Sequence, residues 1–161
     1  MLLLNTEPAY DAANPALAQA ALQKAGTVIA LTAFKSAAAD VADVLLPIAP
    51  FTETSGTFVN AEGRVQSFHA VVKPLAETRP AWKVLRVLAN LLGVQGFNQE
   101  TSEEVKAEAL GDLAAMPARL SNALDATVSP SAAPSGLERV DDVPLYSTDS
   151  LVRRATSLQL T

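Results

Sequence analysis

Residues Ala42–Phe68, ADVLLPIAPFTETSGTFVNAEGRVQSF, constrain the fold of this chain more than any other stretch. Val44, Leu45 and Leu46 form a short unbroken apolar run, which predicts a strand buried on both faces. Pro47 ends that strand, because proline has no N–H to give to a ladder. Asn60-Ala61-Glu62-Gly63 then separates Gly56-Thr57-Phe58-Val59 from Arg64-Val65-Gln66-Ser67-Phe68. Asparagine suits the first position of a type I turn, and glycine suits the left-handed residue that follows. The spacing therefore predicts an antiparallel hairpin over residues 56–68.

The flanking segments set the fold class. Leu2-Leu3-Leu4 reads as a buried parallel strand. Asn14 is a candidate helix N-cap with Pro15 at the first helical position, and Gly26 stops that helix after about Lys24. Thr27–Leu31 is the next strand, and Phe34–Ala39 a short helical crossover into Val44–Leu46. This alternation predicts an α/β fold: a partial doubly wound, Rossmann-like parallel sheet with a hairpin and following helices. Three strands make a thin sheet with an open first edge, so a piece of a longer subunit is expected rather than a small independent flavodoxin-like domain.

Beyond the hairpin, the spacing predicts an amphipathic helix over residues 80–92. Its Trp82, Leu85, Leu88, Ala89 and Leu92 side should pack on the sheet, with Lys83, Arg86 and Asn90 facing outward. Thr101-Ser102-Glu103-Glu104 is a capping-box pattern opening a second helix that ends near Gly111. A third should run from about Met116 to Ala126. Ser129–Ser135, SPSAAPS, is a linker by composition. The expected organisation is thus one partial domain over residues 1–128, then a loosely attached linker and extended tail over 129–161, with strand-like scraps such as Val143–Tyr146.

Composition narrows the function. A net charge of −5 argues against nucleic acid or anionic lipid as a direct partner. With no cysteine and one histidine, this segment has no thiolate for an iron–sulfur cluster or disulfide and lacks a typical zinc ligand set. No apolar run approaches the roughly 18 residues of a membrane span, and Met1–Leu4 has no basic flank of a signal peptide. The expected location is cytosolic or cytosol-facing on a larger assembly.

No residue emerges as a catalytic, cofactor-binding or metal-binding candidate. His69, beside Phe68 and Val71, has no identifiable nucleophile or orienting carboxylate, so a packed or surface role is expected. Glu62 falls at a turn tip, and Glu53 is expected to bind loop backbone N–H groups. Asp40 and Asp43 flank a helix-to-strand junction, where carboxylates commonly cap. Arg64 and Gln66 share one strand face, suited either to a partner subunit or to an internal ion pair. Gly56 and Gly63 lack the spacing and following helix of a phosphate loop. Trp82 is read as core.

The same motif carries a resemblance. The order ADVLLP, an acidic residue, then G-T-F-x-N-x-E-x-R-x-Q resembles the molybdopterin oxidoreductase superfamily, which includes formate dehydrogenases and periplasmic nitrate reductases. Those enzymes tend to read E-R-R where this chain has Glu62-Gly63-Arg64. Together with Pro50-Phe51 upstream, this is closer to one branch, the large peripheral-arm subunit of bacterial NADH:quinone oxidoreductase, respiratory complex I. The match extends through Val72–Leu75 and Arg79–Leu88, weakens across roughly residues 97–135, and returns at Gly136–Arg139 and Val152-Arg153-Arg154.

The resemblance implies a non-catalytic scaffold segment of that subunit, on the cytoplasmic side of the inner membrane. Its partners would be other peripheral-arm subunits and the rest of its own subunit, including a C-terminal β-barrel domain. The parent would move electrons from NADH to quinone, coupled to ion translocation. Its iron–sulfur clusters would lie upstream, and no cofactor would sit in this segment. The alternative is a fragment of a true molybdopterin-dependent oxidoreductase such as a formate dehydrogenase, in which the molybdenum cofactor is present.

Overall fold

A computed structural model of the chain describes residues 1–35, 38–121, 123, 136–137 and 143–160. The chain packs as two units: residues 1–6 with 25–122, and residues 7–24 with 123–161.

The first unit is built on a parallel three-stranded sheet, ordered β1 (Leu2–Leu4), β2 (Ile29–Thr32), β3 (Val44–Pro47). Leu31 of β2 stands opposite Leu4 on one side and Leu46 on the other. Only β2 has a neighbour on both sides, and the sheet's buried side chains gather on it and its approach: Val28, Ala30 and Leu31. Asp43 Oδ2 fastens the start of that approach by accepting from Val28 N at 2.7 Å. The expectation that β1 and β3 are buried on both faces is corrected here. Leu2, Leu4 and Val44 are exposed, Val44 by 43%, because each outer strand has a single neighbour to cover it.

After β3, Ile48 bridges in parallel to Arg79, and Ala49 N donates to Arg79 O at 2.9 Å. Between those points lies the predicted hairpin: β4 (Gly56–Val59) paired antiparallel with β5 (Val65–Phe68), Gly56 opposite Phe68 and Val59 opposite Val65. Helix α3 spans Ala81–Leu91, entered from Pro80 and closed by Gly93 at φ +71°. Helix α4 spans Ser102–Leu110, with Thr101 Oγ1 accepting from Glu104 N at 3.2 Å. Its acidic partner reaches one residue further back than in a standard capping box, Glu104 Oε2 accepting from Glu100 N at 2.7 Å.

The α3 face differs from expectation. Trp82 and Leu85 are half-buried and line a cleft with Gln95–Phe97, Val105 and Ala109 of the following loop and α4, rather than sealing the sheet. Leu92 is 70% exposed, and Ala89 is the helix's buried residue. Arg86 is half-buried and donates to Gln99 O at 2.7 Å, so it ties down the loop instead of facing only water. The helix expected over 116–126 is one turn, Met116–Arg119, because Leu120 turns to extended backbone at φ −86°, ψ 134°. Much of the predicted remainder, residue 122 and residues 124–126, lies outside the described residues, as does the whole of the Ser129–Ser135 linker.

The second unit joins helices α1 (Pro8–Asp11) and α2 (Pro15–Gln23) with the segment 143–160. Asn14 caps α2 as predicted, its Oδ1 accepting from Leu17 N at 2.9 Å. In place of the expected strand-like scraps and extended tail, residues 145–147 and 152–154 form 3₁₀ turns and Thr156–Gln159 a helical turn. The cause is side-chain anchoring rather than periodicity. Asp149 Oδ1 caps the second turn through Leu151 N and Val152 N, and Gln159 Nε2 donates to both Tyr146 O and Val152 O.

Arg153 and Arg154 hold this segment on α1. Arg154 grips Glu7 with two bonds, Nη1 to Oε1 at 2.8 Å and Nη2 to Oε2 at 3.0 Å. Arg153 Nη1 lies 2.8 Å from Glu7 Oε1 as an ion pair without the alignment of a hydrogen bond, while its Nη2 donates to Asp11 Oδ1 at 3.1 Å. The Arg153 guanidinium sits over the Tyr10 ring, 4.5 Å from its centroid, with its side chain only 6% exposed. Burial opposes its charge, but the Asp11 hydrogen bond and the Glu7 charge outweigh that and raise its pKa.

Candidate functional site

The hairpin holds the chain's most specific sequence, and its geometry gives most of the motif residues a definite place. Asn60 Oδ1 accepts from both Glu62 N (3.1 Å) and Arg64 N (2.8 Å), while Gly63 N donates to Asn60 O at 2.9 Å. Gly63 lies at φ +77°, the left-handed value that the sequence predicts for it. A Cβ there would also fall 1.9 Å from Leu120 Cδ1. Gly63→Ala is expected to cost about 1–3 kcal/mol from backbone strain, because the Leu120 methyl can swing aside but φ cannot. Urea denaturation would measure it, and an unchanged midpoint would contradict the turn's role.

Gly56 answers a different need. A Cβ at this position would lie 2.6 Å from the Phe68 ring, which covers the glycine. Phe68 in turn stacks on Phe58 with centroids 5.3 Å apart and planes 17° from parallel. On the other face Thr57 Oγ1 and Ser67 Oγ lie 3.0 Å apart. The G-T-F and Q-S-F motifs are therefore one cross-strand packing unit.

Lys106 of α4 donates to Ser67 Oγ at 2.9 Å, closing a cleft of about 260 Å³ lined by Ser55, Thr57, Ser67, His69, Ser102 and Glu103. This cleft gathers polar side chains around the chain's single histidine. Glu103 is held below the usual carboxylate range, first by a backbone N–H, then by the Ser102 hydroxyl, with His69 and Lys106 adding favourable charge. His69 lines this cleft together with Glu103 and Lys106. The cleft can bind small polar groups through hydroxyls and an ammonium.

The other sequence candidates take structural roles. Glu53 Oε2 accepts from Leu75 N at 2.9 Å, the backbone bond expected of it. Glu62 and Arg64 form an exposed ion pair at 3.3 Å, one of the two readings open for Arg64. Gln66 is exposed on β5. Trp82 is half-buried beneath Lys83, whose Nζ is 5.2 Å from its ring. The Glu7–Arg153–Arg154 cluster is a site that sequence reasoning misses. Its only sequence signal is the return of the resemblance at Val152-Arg153-Arg154.

The parallel sheet followed by an antiparallel hairpin is an α/β arrangement consistent with one enzyme family. A family model described as "Molybdopterin oxidoreductase" matches residues 1–91, more than half of the 161, and the chain belongs to this family. Its relatives include a "Putative formate dehydrogenase" of Staphylococcus aureus strain bovine RF122 / ET3-1, 38% identical over 85 residues. Proteins of the same description in strains USA300 and NCTC 8325 / PS 47 are 36% identical over 85 residues. Each alignment covers 53% of this chain and 9% of the relative's length.

The family's description points to a molybdenum-bearing pterin. The sequence has no thiol, and among the described residues no three His, Asp or Glu side chains converge as metal ligands. The glycines of the motif serve a turn and an aromatic ring.

Proposed function

We propose that this chain is a scaffold segment of an electron-transferring oxidoreductase subunit in the molybdopterin oxidoreductase family. It shapes sheet and hairpin surfaces while redox groups are held by other parts of the subunit. The observation that supports this is the use of the motif's polar side chains. Asn60 accepts two backbone N–H groups, Glu53 accepts one across 22 residues, and Asp43 fixes the entry to β2. Each builds backbone geometry.

Two parents fit this role. The similarity to proteins described as formate dehydrogenases supports a molybdopterin-dependent parent, and it is the reading that the comparisons favour. A second reading, the large peripheral-arm subunit of an NADH:quinone oxidoreductase, rests on the hairpin tip. There Gly63 occupies a left-handed position that the arginine of an E-R-R motif would fill only with strain. In both, the segment is peripheral, contacts the rest of its own subunit and other subunits, and supplies no metal or pterin ligand.

The deciding experiment purifies the full-length subunit within its native complex and measures molybdenum by elemental analysis, formate oxidation with an artificial acceptor, and NADH-dependent quinone reduction. Stoichiometric molybdenum with formate oxidation would identify the first parent. NADH–quinone activity without molybdenum would identify the second. Stoichiometric molybdenum or pterin retained by the isolated 161-residue chain would overturn the scaffold role itself.

A further inference from the structure

Helix α3 forms, with Leu46 of β3, an apolar groove of about 530 Å³. Val84 and Leu88 are half-buried along it, while Val87 and Leu91 stand exposed on its wall, Leu91 by 80%. Three cations also line it: Arg79, Lys83 and Arg86. Among the described residues none of the three is in an ion pair, although the chain as a whole carries a net charge of −5. An open apolar groove with a wholly basic rim, on an acidic protein, has a definite complement.

We propose that this groove docks an amphipathic helix of a protein partner, its apolar side chains on Val84, Val87 and Leu91 and its flanking carboxylates on Arg79 and Lys83. The surface of an exposed helix offers anchors at positions i, i+3/i+4 and i+7, and Val84, Val87 and Leu91 present that spacing to the partner. The rim charges choose the partner's sign and speed its encounter, while the apolar wall holds it once seated. A helix with lysines beside its apolar stripe would place like charges together and be rejected. This inference rests on the groove alone and holds for either parent proposed above.

The test uses the full 161-residue chain and three labelled synthetic helical peptides. One carries leucines flanked by glutamates, the second lysines in place of the glutamates, the third serines in place of the leucines. Fluorescence anisotropy should show the glutamate–leucine peptide binding at least about tenfold more tightly than either other. Val87→Glu, at an exposed position, should weaken it by about tenfold or more, as should Arg79→Glu with Lys83→Glu, while circular dichroism stays unchanged. Equal binding of the lysine peptide, or indifference to Val87→Glu, would overturn the proposal. So would self-association abolished by Val87→Glu, which would make a second copy the occupant. Binding to phosphatidylglycerol vesicles that exceeds binding to the peptide would overturn it equally, by assigning the basic rim to lipid.

Discussion

Glu7→Leu is expected to destabilise the unit formed by residues 7–24 and 143–160 by about 3–5 kcal/mol, the usual cost of removing one partner from a buried ion pair. Glu7 answers two guanidiniums at once, so its loss removes the two bonds that Arg154 makes to it and, among the described residues, leaves Arg153, 6% exposed, with Asp11 as its carboxylate partner. Tyrosine fluorescence during urea denaturation would read this directly. Both tyrosines, Tyr10 and Tyr146, lie in that unit, whereas Trp82 lies in the other. Adding Arg153→Met should cost much less than it does alone, because the stranded charge goes with it. Strict additivity of the two changes would show that the pair does not hold the segment.

The second large effect falls on β2. Leu31→Ala should cost about 2–5 kcal/mol, as removing a buried leucine side chain does when its surroundings cannot collapse. Leu31 is 1% exposed between Leu4 and Leu46, and its carbonyl accepts Asn5 N at 2.8 Å, so the backbone around it is pinned. Trp82 fluorescence would follow the transition. Leu85→Ala should cost less, because Leu85 is only half-buried in the cleft beside α4. If the two costs were equal, β2 would not be the centre of this unit's core.

What is legible in the sequence is what local chemistry decides. The Asn60–Gly63 turn, the Asn14 cap and the glycine stop at Gly93 each depend on residues within a few positions of one another. Fold class follows from the alternation of apolar runs and caps. Burial is less legible, because an apolar run such as Val44–Leu46 reads the same whether it has one neighbour or two. The face of α3 eludes the sequence for a related reason: periodicity separates polar from apolar sides but cannot say whether the apolar side meets a sheet, another helix or open groove. The pairing of Glu7 with Arg153 and Arg154 is illegible, since no spacing rule relates residues so far apart. In the polar cleft, Lys106 is invisible to the sequence because it comes from a different element than Ser67 and His69.

That ion cluster also sets a timetable. Arg153 follows Asp11 by 142 residues, so at elongation rates of about 5–20 residues per second the carboxylates emerge on the order of ten seconds before the guanidiniums that complete them. Throughout that interval the nascent chain presents α1 with Glu7 and Asp11 uncompensated, while the parallel sheet, whose strands lie within the first 47 residues, is free to form. The order of synthesis therefore separates the two units in time, with the sheet able to mature first and the α1 unit closing only when Arg153 and Arg154 arrive.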